Sequence, residues 1–100
     1  EGERLLDKID EKSYNIALDI AGISPSSEEL AQKISGLIDN SARLCFIIGG
    51  SFGLSEAVLK KCRLRLSLSR LTFTHNMARL LLLEQLYRSF KINEGAPYHK

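Results

Sequence analysis

Three closely spaced glycines directly after a short apolar run are the residues of this 100-residue sequence best suited to surround a ligand. The run Leu44–Ile48 is rich in β-formers and predicts a strand buried on both faces, as in a parallel sheet. Gly49, Gly50 and Gly53 let the backbone turn sharply and approach a ligand closely. Ser55 can cap a helix that begins just after them. A strand, a glycine loop and a helix start together predict a ligand crevice at the carboxyl end of the strand.

This glycine spacing also occurs in ordinary tight turns, and that is the alternative interpretation. It differs from the dinucleotide-binding pattern G-x-G-x-x-G. In addition, no acidic residue follows about twenty positions later, where that pattern has its ribose ligand. A nicotinamide-dependent oxidoreductase is therefore disfavoured.

The histidines and cysteines do not have the spacing of a metal site. His75 and His99 are too few and too far apart, and Cys45 and Cys62 form no C-x-x-C pair. A serine nucleophile paired with His75 would lack the elbow motif that such sites use. We therefore expect no metal, and two buried free thiols in a reducing compartment.

Charge is distributed unequally along the chain. Residues 1–59 hold five Lys/Arg against ten Asp/Glu, a balance of −5, whereas residues 60–100 hold nine against two, a balance of +7. This asymmetry predicts a polyanionic partner for the second half. The alternative is an acidic face that meets a basic one across a homodimer.

Length and hydropathy restrict the class of protein further. No apolar run approaches the roughly 20 residues that a membrane helix needs, so we expect a soluble cytoplasmic protein that does not contact a membrane. One small domain, 1–100, is expected, and a core of this size favours help from a partner subunit. The sequence starts at Glu1 within a helical pattern, so we expect that an amino-terminal portion is missing.

Periodicity predicts a mostly parallel α/β sheet with flanking helices. Ser26 and Glu29 form a capping box at the start of one helix, and Thr74 or Asn76 can cap a long helix that runs to about Ile92. In chain order the predicted elements are the tail of a helix at 3–11, a strand at 14–20, a helix from 26 to about 39, a strand at 44–48, a short helix at 55–61, a strand at 63–69 and the long helix.

The long helix has unequal sides on a helical wheel. One broad apolar face holds Leu80, Leu82, Leu83, Leu86, Tyr87 and Phe90, whereas Leu81 falls on the polar side. We therefore expect the helix to pack on its own sheet and, through Leu81, on a second chain. Arg79 lies in the first turn, where the helix dipole disfavours a cation. It is either a buried partner of a carboxylate or a side chain that reaches an anionic ligand.

Taken together, several of these segments resemble the ribosomal RNA large-subunit pseudouridine N3-methyltransferase family. The resemblance rests on Phe46–Leu54, Leu66–Ser69 with Leu71 and Thr72, His75, Arg79, Glu84–Arg88 and Pro97–Lys100. It covers essentially the whole chain, which lacks roughly the first third of the family pattern. The segment Thr74-His75-Asn76 departs from the family's usual Pro-His-Pro or Pro-His-Gln.

The resemblance implies the SPOUT class of methyltransferases, which use S-adenosylmethionine and thread the chain end into a deep trefoil knot. It implies a homodimer that methylates N3 of a pseudouridine in large-subunit ribosomal RNA. The competing hypothesis is a non-catalytic dimeric RNA-binding protein with the same α/β-knot fold.

The resemblance also implies roles for individual residues of this sequence. The expected cofactor-binding residues are Leu18, Gly49, Gly50, Gly53, Leu68, Ser69, Arg70, Leu71, Thr72 and Phe73. The expected catalytic residues are His99, Tyr98 and Arg79, with His99 as the group that accepts or relays the N3 proton. The expected RNA-binding residues, from the basic half, are Arg63, Arg65, Arg70, Arg88 and Lys100.

Overall fold

The structure, a computed structural model, describes residues 9–40, 43–49 and 53–98. Its elements alternate between strand and helix as predicted. They are β1 (Tyr14–Ile23), α1 (Ser27–Asp39), β2 (Leu44–Ile48), α2 (Glu56–Lys60), β3 (Leu64–Leu66) and α3 (His75–Glu94). The helix predicted at 3–11 lies largely outside the described residues, and residues 9–11 are not helical.

The three strands form one parallel sheet in the order β2-β1-β3. Leu18 pairs with Ile48 of β2 and with Leu66 of β3. The carboxyl ends of β2 and β3 are therefore level with each other, one on each side of β1. β1 then continues to Ile23, whose carbonyl accepts a hydrogen bond from the Ser67 N–H at 2.7 Å. This extension places one wall beside the sheet edge where the predicted crevice lies.

Gly22 permits that extension. A Cβ at this position would lie 2.4 Å from the Arg65 carbonyl oxygen, closer than side-chain atoms approach backbone. Only glycine therefore lets the end of β1 pass so close to β3.

The prediction that Leu44–Ile48 is buried on both faces is wrong for the part of the chain described. β2 lies at the edge of these three strands, and only Ile47 of the strand is buried. The fully buried residues Ile16 and Ala17 belong to β1, because β1 has a hydrogen-bonded neighbour on both sides. Cys45 and Cys62 are free, as expected, but they are half-buried rather than fully buried.

The helix caps agree with the sequence. The Ser26 N–H donates to the Glu29 carboxylate at 2.8 Å, and the Glu29 N–H donates to the Ser26 hydroxyl at 3.1 Å. The bond from the Ser26 N–H to its carboxylate holds the pKa of Glu29 below its ordinary value. Ser55 caps α2 and Thr74 caps α3, so each helix starts at a side chain that satisfies a free backbone donor.

Helices α1 and α3 pack against each other and cover one face of the sheet. The core there is made by Ile16, Leu66 and the α1 residues Leu30 and Ile34, with Leu86 of α3 packed against it. Two polar contacts fix the helix pair. Ser27 Oγ donates to Gln85 Oε1 at 2.8 Å, and Asn93 Nδ2 donates to the Ala31 carbonyl at 3.1 Å.

The apolar side chains of α3 divide differently from the wheel prediction. Leu82 is buried and Leu81 is half-buried, so both belong to the packing of the chain itself. We use the name outer stripe for four exposed apolar residues that share one face of α3 after its first turn: Leu80, Leu83, Tyr87 and Phe90. The expectation that Leu81 is the outlying residue is therefore wrong. The polar residues Gln85, Ser89 and Asn93 occupy part of the inner face, and a hydropathy wheel assigns such residues to solvent.

Within the ranges that the structure describes, no helix is both long enough and apolar enough to cross a bilayer. The trefoil knot stays a prediction.

Candidate functional site

A cleft of about 810 Å³ opens at the carboxyl edge of the sheet. Its walls come from the ends of the three strands, the glycine loop, the segment 67–73 after β3, and the first turn of α3. Three loops therefore meet at one sheet edge, where open α/β folds bind ligands.

Most of the residues predicted to bind a cofactor lie together in this cleft. They are Leu18, Gly49, Gly53, Leu68, Ser69, Leu71, Thr72 and Phe73. Arg70 is exposed and does not line the cleft, and Gly50 lies outside the described residues. The structure thus brings eight predicted residues into one site, and their role as cofactor ligands stays a prediction.

The glycine loop is tight where it leaves β2. A Cβ on Gly49 would lie 2.8 Å from the carbonyl carbon and 2.9 Å from the carbonyl oxygen of Gly53. Gly53 has a φ of +78°, a left-handed conformation that other residues adopt at a cost. Gly49 therefore permits the close approach of the two backbone segments, whereas Gly53 permits the left-handed turn.

The segment after β3 is held by bonds within itself. Ser67 is 4% exposed, and its hydroxyl donates to the Ser69 carbonyl at 2.9 Å. The Ser69 hydroxyl accepts from the Leu71 N–H at 3.0 Å. These short local bonds give the third wall of the cleft a defined shape.

His75 connects two walls of the cleft. Its Nδ1 lies 3.0 Å from the carbonyl oxygen of Gly49, and its ring lines the cleft. His75 is part of the resemblance described above, but no site role was predicted for it. The sequence feature that could have identified His75 as a site residue is its position just after the segment that follows β3, at the start of the long helix.

Asp19 is a second residue that sequence reasoning left without a role. It lines the cleft directly after Leu18, and its carboxylate lies 3.9 Å from the Arg65 guanidinium. A carboxylate at this position can accept hydrogen bonds from hydroxyl or ammonium groups of a ligand. The sequence feature that could have identified Asp19 as a site residue is its position near the carboxyl end of a predicted strand, where the crevice is expected.

The three predicted catalytic residues do not line the cleft of this chain as far as the structure describes them. Tyr98 lies against α3, where its hydroxyl donates to Glu84 Oε2 at 3.0 Å. Arg79 is exposed, with no ion pair to any residue in the described ranges, which removes the interpretation of a buried arginine beside a carboxylate. His99 lies outside the described residues.

The predicted RNA-binding arginines lie in four different environments. Arg63 precedes β3, 5.7 Å from the ring centroid of Tyr14, at the sheet edge opposite the cleft. Arg65 faces Asp19, and Arg88 forms an ion pair with Glu84 on α3. Arg70 is exposed in the segment that forms the third wall.

These arginines therefore lie in separate places, and Arg70 is the one with a cleft-lining residue on each side of it in the sequence, Ser69 and Leu71. Lys100 falls outside the described residues. Within those residues, no group of three or more His, Cys, Asp or Glu side chains could hold a metal ion.

The parallel sheet, the three-loop cleft at its carboxyl edge and the sequence itself agree on a family. Residues 1–99 match the family model described as a predicted SPOUT methyltransferase, and the chain belongs to that family.

Curated relatives make the comparison more specific. The chain is 56% identical over 101 residues to ribosomal RNA large subunit methyltransferase H of Clostridioides difficile strain 630. It is 50% identical to the protein of the same name from Bacillus pumilus, and 52% identical to a putative one from Methanoregula boonei. Each alignment covers 100% of the chain and 64% of the relative, so the chain spans about two thirds of the length of these proteins.

Proposed function

We propose that the chain binds S-adenosylmethionine in the three-loop cleft and serves a methyltransferase that acts on N3 of a pseudouridine in large-subunit ribosomal RNA. The observation that carries the proposal is the convergence of the glycine loop, the end of β1 and the segment 67–73 on one cleft. The names of the relatives support ribosomal RNA as the substrate class.

The cleft fits a cofactor of this kind. Its volume of about 810 Å³ lies within the range of roughly 300–1,000 Å³ typical of small-molecule sites. Leu18 and Leu71 offer apolar surface to an adenine ring, and Asp19 offers an acceptor to ribose hydroxyls or to an ammonium group. Gly49 and Gly53 line the cleft without side chains of their own, so their backbone is open to a ligand.

When bound, S-adenosylmethionine supplies a methyl group on a positively charged sulfur, so the protein itself has to orient the base and remove one proton. N3 of a pseudouridine is only weakly acidic in water. His99 is the proposed group to accept or relay its proton, because imidazole titrates nearest neutrality. Tyr98 is proposed to stack on or hydrogen-bond the base, and Arg79 and Lys100 to hold its phosphates.

We further propose that the site is completed by a second copy of the chain. The outer stripe runs along α3 at i, i+3, i+7 and i+10, which places its four side chains on one face. Complete burial of one such side chain contributes about 1.5–3 kcal/mol, so pairing of two stripes would stabilise a homodimer.

Tyr98 lies beside this proposed interface. Tyr87 belongs to the outer stripe, and its ring also meets the edge of the Tyr98 ring, with centroids 4.9 Å apart. Arg79 lies between Ala78, which lines the cleft, and Leu80 of the stripe. This arrangement supports a composite site, in which the end of one chain serves the cleft of its partner.

The test uses the native protein that carries this chain. Calorimetric titration with S-adenosylmethionine should show one site per chain, and titration with NAD should show none. Removal of Tyr98–Lys100 should preserve dimerisation and cofactor binding but lower methyl transfer to unmethylated ribosomes by orders of magnitude, whereas removal of Lys100 alone should cost less.

Two outcomes would contradict the proposal. Absence of S-adenosylmethionine binding would remove the cofactor from the cleft. Cofactor and ribosome binding without any methyl transfer would favour the alternative, a non-catalytic RNA-binding protein of the same fold.

A further inference from the structure

Residues 95–98 turn back onto α3 instead of continuing its axis. Gly95 has a φ of +75°, and its N–H donates to the Ile92 carbonyl at 3.0 Å. The Ala96 N–H donates to the Lys91 carbonyl at 2.9 Å. This left-handed ending satisfies free helix carbonyls and reverses the chain. Tyr98 is therefore placed against the side of the helix.

Among the described residues, the side chain of Tyr98 contacts Glu84, Tyr87 and Arg88, which share one face of α3. Its hydroxyl donates to Glu84 Oε2 at 3.0 Å. Its ring meets that of Tyr87 edge to face at an interplanar angle of 88°, and the Arg88 guanidinium lies 5.0 Å from its ring centroid. Positions 84, 87 and 88 are neighbours on a helix surface, so these contacts act on Tyr98 together.

Glu84 connects these contacts to one another. Its two carboxylate oxygens accept from Arg88 Nε at 3.2 Å and from a second Arg88 nitrogen at 3.0 Å, and Oε1 also accepts from Gln85 Nε2 at 3.0 Å. A forked arginine–carboxylate pair of this kind has a defined orientation, so Oε2 faces Tyr98 in one direction. The hydrogen bond to Glu84 raises the pKa of the Tyr98 phenol.

We infer that Glu84 is a positioning residue, which holds Tyr98 on α3 in the arrangement that methyl transfer requires. Glu84 is not among the residues that line the cleft, so we assign its effect on the reaction to its contact with Tyr98. The inference rests on the proposed function, because methyl transfer is the step that is proposed to use the chain end.

The first test measures the placement of Tyr98 without any assay of activity. The chain has three tyrosines, so the phenolate absorbance of Tyr98 is obtained as the difference between the native protein and Tyr98→Phe. In Glu84→Gln the carboxylate charge is lost, and we expect the pKa of Tyr98 to fall toward its ordinary value. Glu94→Gln is the matched control on the same helix. It should leave the titration unchanged, because Glu94 pairs with Lys91.

The second test measures the reaction. Glu84→Gln and Tyr98→Phe should each lower kcat by about tenfold or more with the Kd for S-adenosylmethionine unchanged, since a small misplacement of a reacting group is costly. The double variant should be no slower than Tyr98→Phe, because both changes break one contact.

Each outcome decides a part of the inference. If Tyr98 titrates in Glu84→Gln as it does in the native protein, the contact does not exist in solution. If the titration changes but kcat stays at the native value, the contact has no role in the reaction. A native protein that neither binds cofactor nor transfers methyl groups would overturn the proposed function and the catalytic role of Glu84. The titration would still decide whether Glu84 holds Tyr98.

Discussion

The imidazole Nδ1 of His75 lies 3.0 Å from the carbonyl oxygen of Gly49, and this contact joins the first turn of α3 to the glycine loop. A carbonyl oxygen only accepts hydrogen bonds, so Nδ1 is the nitrogen that carries the hydrogen. In the neutral ring Nε2 is then an acceptor, on a residue that lines the cleft. His75 therefore couples the position of the loop to the position of the helix.

Substitution of His75 should weaken cofactor binding more than it weakens folding. In His75→Ala the loop loses one hydrogen bond, worth about 0.5–1.5 kcal/mol, so we expect the Kd for S-adenosylmethionine to rise about 2- to 12-fold. His75→Asn places an amide donor near the same carbonyl and should recover most of the affinity. Calorimetric titration of both variants makes the comparison, and equal Kd values for His75→Ala and the native protein would remove this contact from the site.

Gly49→Ala should deform the glycine loop. The added methyl group would lie 2.8 Å from the carbonyl carbon of Gly53, and backbone on both sides has to shift to accommodate it. We expect S-adenosylmethionine binding to be lost, with a smaller change in thermal unfolding. Gly36→Ala is the matched control. A methyl group there has nothing within 4 Å, and because Gly36 is helical it should stabilise the protein, by up to about 0.5–1 kcal/mol.

Local signals in the sequence predicted the helices and the location of the cleft. The capping box at Ser26 and Glu29 and the caps at Ser55 and Thr74 depend on atoms within four residues, so a pattern of residue types is enough to identify them. The glycine loop after Leu44–Ile48 similarly marks the carboxyl end of a strand.

Features that depend on tertiary packing were not predictable in this way. The place of β1 between β2 and β3 depends on strand pairing, and the run Leu44–Ile48 contains no information on its neighbours. The inner face of α3 is selected partly by polar bonds from Gln85 and Asn93 to α1, which a hydropathy pattern ignores. The return of Tyr98 to Glu84 also joins residues 14 positions apart by geometry alone.

Leu83→Glu should prevent dimerisation and leave the fold intact. Leu83 is 54% exposed in the outer stripe, so a carboxylate there is solvated in the monomer and buried only in the proposed interface. We expect sedimentation velocity to show a monomer for Leu83→Glu and a dimer for the native protein at micromolar concentration.

Leu81→Glu supplies the contrast for this prediction. Leu81 is half-buried and faces a small cavity shared with Pro25, Leu30 and Phe73, so its substitution should lower the free energy of unfolding instead. Thermal melting distinguishes the two variants. Loss of dimerisation in Leu81→Glu with a normal melting temperature, together with a dimeric Leu83→Glu, would reverse the assignment of the interface.

The basic half of the chain is expected to bind ribosomal RNA, but its arginines should contribute unequally. Arg70 is exposed in the cleft wall between Ser69 and Leu71, both of which line the cleft. Arg63 lies at the opposite edge of the sheet, against the Tyr14 ring. The phosphates next to a substrate base in the cleft can therefore reach Arg70 but not Arg63.

Arg70→Ala should therefore weaken binding to large-subunit ribosomal RNA and Arg63→Ala should not. Each phosphate contact that is lost reduces the slope of log K against log salt by about one, so Arg70→Ala should flatten the salt dependence by that amount. Filter binding at several salt concentrations measures both slopes, and Lys12→Ala in the acidic half controls for the loss of one positive charge. Equal effects of Arg70→Ala and Arg63→Ala would mean that RNA lies along the whole basic half. A native protein whose affinity is independent of salt would mean that the charge asymmetry serves the contact between subunits.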